Sequence, residues 1–150
     1  MIVALNLDEK KLNEFNNDRV SVFKSVPQLE ILSRADLFIT HGGFNSIKES
    51  IFYTVPMLVF PIEFKTDHPG NSARVIYHRF GLRGDARKDS PSGIKEKIET
   101  LLSDGSFKKN MQIFQKEKEK DDEELLSIVQ SIPEFQKVVT PLPARDDQPT

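Results

Sequence analysis

The sequence contains no cysteine and no tryptophan. Without cysteine there are no disulfides, thiolate metal sites or thiol nucleophiles, and the expectation is a reducing, cytoplasmic setting. Without tryptophan, aromatic packing and stacking fall to 11 Phe and 2 Tyr. An excess of charge of one sign is also missing. The 21 Lys plus Arg stand against 23 Asp plus Glu, a formal charge of −2, so there is no whole-molecule field to attract nucleic acid or an anionic membrane. No apolar run approaches the roughly 18 residues of a membrane span. The opening MIVALNLDEKK has neither a basic start nor a small-residue cleavage site, so neither a transmembrane segment nor a secretory leader is expected. What is present is a chain of 150 residues, long enough for one domain with a real core and short for two.

Residues 2–7 (IVALNL) and 20–23 (VSVF) are short runs rich in β-branched residues and read as strands, joined through a polar segment with one short helix or turn. Val26-Pro27-Gln28 breaks the chain, and Leu29, Ile31 and Leu32 fit a short helix. Residues 37–40 and 57–60 are apolar throughout instead of alternating. That pattern predicts central strands of a parallel sheet covered on both faces. Between them Phe44, Ile47 and Ile51 recur at helical spacing, giving a strand–helix–strand unit. Residues 71–80 predict a second amphipathic helix, with Ala73, Val75, Ile76 and Phe80 inward and Gly81 as its left-handed cap. Ser90-Pro91 is a cap followed by a first-turn proline, and Ile94, Ile98, Leu101 and Leu102 supply the buried stripe of the helix that follows. Phe107, Met111 and Phe114 continue the pattern. In KEKEKDDEELL the charges read as a solvated helix face, with Asp121 or Asp122 capping a last helix that buries Leu125, Leu126, Val129 and Ile132. The domain is expected over 1–132, and the proline- and charge-rich 133–150 as a disordered or extended tail.

The segment FITHGGFNSIKES, residues 38–50, carries the chemistry. A parallel strand feeding a glycine turn and then a helix creates an anion site, because the first helical turn presents unpaired N–H groups and a partial positive charge. Gly42 and Gly43 lack a Cβ and let the backbone approach a ligand or take positive φ. Asn45 and Ser46 add donors, and the His41 imidazole can donate to a diphosphate oxygen. The competing structural reading makes Ser46 and Glu49 a capping box, Ser-x-x-Glu, and the glycines a tight turn only. The short motif alone leaves both open.

The longer stretch VPQLEILSRADLFITHGGFNSIKESIFYTVPMLVFP, followed by DHPGNSARV, resembles the donor-binding half of the family 1 UDP-glycosyltransferases, including their macrolide-glycosyltransferase branch. The order Pro-Gln, Thr-His-Gly-Gly, Asn-Ser-x-x-Glu, Val-Pro-Met and then an acidic residue carries it. The resemblance implies an α/β fold, with a Rossmann-like, mostly parallel sheet flanked by helices, as a partial C-terminal domain of a two-domain GT-B enzyme. It implies that His41, Gly43, Asn45 and Ser46 hold the diphosphate, that Gln28 and Glu49 bind the ribose hydroxyls, and that Asp67 with His68 faces the sugar. No cofactor or metal is implied; the nucleotide sugar, UDP-linked in the family, is a donor substrate.

Three departures stand out. Ser25 occupies a position where the family often has a base-stacking Trp, Thr54 replaces the usual glycine before Val-Pro, and the spacer between Pro61 and Asp67 exceeds the common spacing. The acceptor-binding half, with its catalytic base, and the first strand with its phosphate loop have no counterpart in the resemblance. The expectation is therefore the donor-binding half of an inverting glycosyltransferase, inactive without an acceptor-binding domain or subunit. A non-catalytic nucleotide-sugar-binding subunit, a functionless remnant and a GT-B epimerase are the alternatives. No catalytic residue is assigned.

Overall fold

Each apolar run expected as a strand forms one within the described residues, and the named strands all pair in parallel. In the computed structural model, which describes residues 1–4, 9–62 and 68–131, the order is β1 (Ile2–Ala4), α1 (Glu9–Phe15), β2 (Ser21–Phe23), α2 (Gln28–Leu32), β3 (Phe38–Thr40), α3 (Phe44–Phe52), β4 (Met57–Val59), α4 (His68–Tyr77), β5 (Gly81–Arg83), α5 (Pro91–Ser103) and α6 (Ser106–Ser131). The chain divides into two units, Met1–Met111 and Gln112–Thr150. The fold is α/β, as expected, but its strands hydrogen-bond in two sheets, β1-β2 and β3-β4-β5. The expectations for residues 5–7 and for the tail 133–150 fall outside the described residues.

The three-stranded sheet positions the site. Phe38, Ile39 and Thr40 pair in register with Met57, Leu58 and Val59, and these with Gly81, Leu82 and Arg83. β4 lies between the other two and is completely buried, as its uninterrupted apolar sequence requires. β3 differs: as an edge strand in this sheet it leaves Ile39 45% exposed. Because β3, β4 and β5 follow one another across the sheet, right-handed crossovers carry α3 and α4 over the same face, where the two helices touch. Leu58, Leu101 and Phe107 form a core cluster, flanked by Leu37, Phe60, Leu82, Ile94 and Ile98.

Helix ends explain the turns between these elements. Ser90 caps α5, its hydroxyl accepting from the Gly93 N–H at 3.1 Å, with Pro91 at the first helical position as expected. α3 ends in a Schellman motif: Val55 N–H donates to Ser50 C=O at 2.9 Å and Thr54 N–H to Ile51 C=O at 3.0 Å. The left-handed residue is Thr54, with φ 54°. α4 repeats the motif, Phe80 donating to Val75 at 2.9 Å and Arg79 to Ile76 at 3.0 Å, with φ 53° at Arg79. The left-handed cap expected at Gly81 is thus taken by Arg79. Gly81 instead opens β5, an element the sequence did not suggest, and a Cβ there would stand 2.0 Å from the Met57 carbonyl oxygen.

Other corrections concern the helical stripes. Leu102 is exposed while Leu101 is buried, and α4 buries Val75 but exposes Ala73 and Ile76. α6 is one helix with no break at Asp121 or Asp122, since the Lys and Glu side chains around them are good helix formers that carry the helix through. Within the second unit Leu125 and Leu126 are exposed instead of buried; the Val129 side chain and Ile132 lie outside the described residues. No helix among the described residues is long and apolar enough to cross a membrane.

Candidate functional site

At the carboxyl end of β3 the chain turns through His41, Gly42 and Gly43 into α3. Gly42 takes φ +88°, and a Cβ there would meet Val59 Cγ1 at 2.8 Å. The turn therefore needs glycine for its backbone angle and for close packing on β4. Gly42 N–H donates to Thr40 Oγ1 at 3.3 Å, and the Gly42 carbonyl accepts from the buried Asn71 Nδ2 at 3.1 Å. Asn71 was missed as a site residue. The available signal was a polar residue among the inward positions of an amphipathic helix.

Gly43 is the N-cap of α3, with φ −62° and ψ 141°, and supplies no side-chain cap. Ser46 therefore occupies the third helical position, and the capping-box reading of Ser46 and Glu49 does not hold: both lie inside the helix. The first intrahelical bond here runs from Ile47 N–H to Gly43 C=O at 3.1 Å. Helical geometry leaves the N–H groups of Phe44, Asn45 and Ser46 without intrahelical acceptors. Together with the aligned peptide dipoles they form a positive pole behind a turn that has no side chains of its own at Gly42 and Gly43.

Glu49 turns toward α2 instead. Gln28, the first residue of α2, donates through Nε2 to Glu49 Oε2 at 2.6 Å and lies 3.4 Å from Ser46 Oγ. The structure thus brings together Gln28, Ser46 and Glu49, three half-buried side chains separated in sequence by a strand and a turn. The amide fixes the carboxylate, which has further lone pairs for other donors.

His41 is exposed and folds back over Gly43: a Cβ on Gly43 would stand 2.9 Å from His41 Nε2. The half-buried His68, at the start of α4, packs against it with ring centroids 4.7 Å apart and planes tilted by 56°. His68 Nδ1 is buried without a hydrogen-bond partner among the described residues. Asn45 is exposed beside the turn. Asp67 lies outside the described residues, which contain no grouping of three metal-ligating side chains. A separate open groove, lined by Met1, Ile2, Pro27, Glu30, Arg34 and Leu37 among others, involves the residues that lead into β1 and β3. Ligands of parallel sheets bind beyond the opposite, carboxyl ends of the strands.

The family described as "UDP-glucoronosyl and UDP-glucosyl transferase" matches residues 3–123. The chain belongs to this family. A zeaxanthin glucosyltransferase of Pantoea ananas is 36% identical over 84 residues, which is 56% of this chain and 19% of that protein. The NDP-glycosyltransferase YjiC of Bacillus subtilis is 34% identical over 115 residues, 75% of this chain and 29% of that protein. The chain thus spans less than a third of the length of either relative. Among solved structures, a glycotransferase of kitacinnamycin superposes with a TM-score of 0.68 at 31% identity, over 77% of this chain and 30% of its own. The calicheamicin glycosyltransferase CalG4, at 24% identity and a TM-score of 0.67, shares the fold over 76% of this chain and 30% of its own. The parallel α/β architecture of this UDP-glycosyltransferase chain is thus that of GT-B glycosyltransferases, as the resemblance implied.

Proposed function

We propose that the chain binds the donor of an inverting glycosyltransferase, a UDP-sugar or related nucleotide sugar whose glycosyl group passes to a hydroxyl acceptor. The observation that carries this reading is the uncapped N-terminus of α3 behind the Gly42-Gly43 turn, with Gln28, Ser46 and Glu49 gathered beside it. In this reading the diphosphate accepts from the α3 N–H groups, Asn45, Ser46 and His41. Glu49, set back from the positive pole and oriented by Gln28, accepts from vicinal ribose hydroxyls. A carboxylate in contact with phosphate would be repelled, so this division of labour is the electrostatically favourable one.

In the reaction, an acceptor oxygen forms a bond to the anomeric carbon as the bond to the diphosphate oxygen breaks, and the acceptor's proton passes to a base. The electrons of the breaking bond leave with the diphosphate, where preorganised N–H donors stabilise the developing charge. Positioning an acceptor can account for about 7–11 kcal/mol of such a barrier. We assign both positioning and the base to an acceptor-binding domain or subunit, so that binding and chemistry separate. These 150 residues bind the nucleotide, and glycoside formation stays at background until an acceptor-binding polypeptide is supplied.

Calorimetric titration with UDP tests the donor site. His41→Ala and Ser46→Ala each remove a donor to a charged group and weaken binding by about 1.5–3 kcal/mol, roughly one to two decades. Wild-type binding that neither substitution changes removes the α3 turn as the nucleotide site. Sugar transfer by the isolated chain, abolished by Glu49→Ala, refutes the separation of binding from chemistry.

A further inference from the structure

We propose that His68 is a positioning residue which holds the His41 imidazole over the N-cap of α3, and that it acts through its ring instead of through a contact with the sugar. The inference rests on the donor-binding reading above and deepens it. His41 is exposed, at the end of an edge strand, and a side chain in that setting ordinarily samples several rotamers. Here one side of its ring is occupied. The His68 ring sits 4.7 Å away, tilted by 56°, within the range of favourable aromatic contacts. His41 Nε2 also lies so close to Gly43 that a Cβ there would be 2.9 Å away. The imidazole thus approaches both the first residue of α4 and the N-cap of α3.

Two further observations bear on how His68 does this. Its Nδ1 is buried and has no hydrogen-bond partner among the described residues, so the contact with His41 seen there is made by the ring. Its backbone is part of the same wall: the His68 carbonyl oxygen would lie 3.7 Å from a Cβ on Gly42, and Asn71, one turn further along α4, donates to the Gly42 carbonyl at 3.1 Å. The N-terminal turn of α4 therefore braces the glycine turn through Asn71 and the histidine above it through His68. A donor fixed in place loses less conformational freedom on binding than one that must be ordered by the ligand.

Two substitutions separate ring from polarity. His68→Phe keeps an aromatic ring and removes both nitrogens; His68→Gln keeps polar atoms and removes the ring. Titration with UDP and with UDP-glucose is expected to show His68→Gln weakening both ligands by the same factor, about three- to tenfold, a fraction of a lost hydrogen bond to a charged group. His68→Phe is expected to retain wild-type affinity for both. In a His41→Ala background, His68→Gln brings no additional loss, because the residue through which it acts is gone. A loss confined to UDP-glucose assigns His68 to the sugar and overturns the proposal, and so does a loss that persists undiminished without His41.

Nuclear Overhauser contacts between the His41 ring and the Gly43 α-protons, measured without nucleotide, give a readout that general destabilisation does not mimic. They are expected in the wild type and in His68→Phe, and absent in His68→Gln. Their persistence in His68→Gln overturns the positioning role. If the wild-type chain binds neither UDP nor UDP-glucose while this contact pattern holds, the donor-binding reading fails and the positioning of His41 stands.

Discussion

Replacing Thr54 by glycine should make the protein more stable. Thr54 is a β-branched residue at φ 54°, in the left-handed position of the Schellman motif that ends α3. An L-residue there brings its Cβ too close to the following carbonyl, at a cost of about 1–2 kcal/mol, and β-branching makes it a genuine outlier. Glycine removes that term but has greater freedom in the unfolded chain, which gives back about 0.5–1 kcal/mol. The net expectation is a gain of about 0.5–1 kcal/mol, or a rise in Tm of about 1–4 °C for a chain of this size. Urea unfolding followed by helical circular dichroism should show a higher midpoint with an unchanged slope, the signature of altered stability without altered exposure. Thr54→Ala, which keeps the Cβ but not the branch, should fall between glycine and the wild type. A glycine variant less stable than the alanine variant by about 0.5–1 kcal/mol would refute the argument, because only the unfolded-state term would then separate them and the Cβ at this angle would carry no strain.

The tight approach of Gly81 to the Met57 carbonyl, 2.0 Å from a hypothetical Cβ, predicts that Gly81→Ala separates β5 from β4 and lowers Tm by more than any other single alanine in the sheet; a silent substitution would contradict the close approach. Asp89 accepts from the Lys97 ammonium and the Asp85 N–H, and these hold its carboxyl below the usual range. A lowered folded-state value means stability that is present above the unfolded carboxylate range and lost as pH falls through the folded one. Asp89→Asn should therefore lower Tm at neutral pH and make no difference once the wild-type carboxyl is protonated, which thermal melts across the acid range would reveal. Glu49→Gln should weaken UDP more than inorganic pyrophosphate. Equal losses for the two would show that Glu49 serves the helix instead of the ribose.

Much of the local structure of the candidate site could be read from the sequence because its signals are local. His41-Gly42-Gly43 follows an apolar strand and precedes a 3.6-residue period, and those features alone place the turn at the end of β3. The Ser90-Pro91 start of α5 is local in the same way. The role of Ser46 and Glu49 was not legible, since Ser-x-x-Glu fits a capping box as well as it fits an N-terminal helical turn. What removes the capping box is the helix start at Gly43, which puts both residues inside α3, and the contact of Glu49 with Gln28 across a strand and a turn is a tertiary fact. β5 was hidden because three residues beginning with glycine carry almost no strand signal; its place is fixed by close packing on Met57. The exposure of Leu102, Leu125 and Leu126 shows the limit of periodicity: it indicates a possible apolar stripe, and packing decides which members are covered.

The order β3-β4-β5 also bears on how the chain acquires its structure. Each strand of this sheet pairs with the next one in sequence across a single helical crossover, so no pairing must wait for a distant segment to arrive. Each parallel pairing, Phe38 with Met57 and Met57 with Gly81, must still close a helical crossover before its contacts repay the loop entropy, which makes such sheets slow to form. β4 is the shared partner in both pairings of this sheet, so its burial ties the two crossovers together. The β1-β2 ladder closes over a crossover of the same kind, Ile2 with Ser21, so the glycine turn and the N-terminus of α3 take shape with the pairing of β3 and β4 and do not depend on that second ladder.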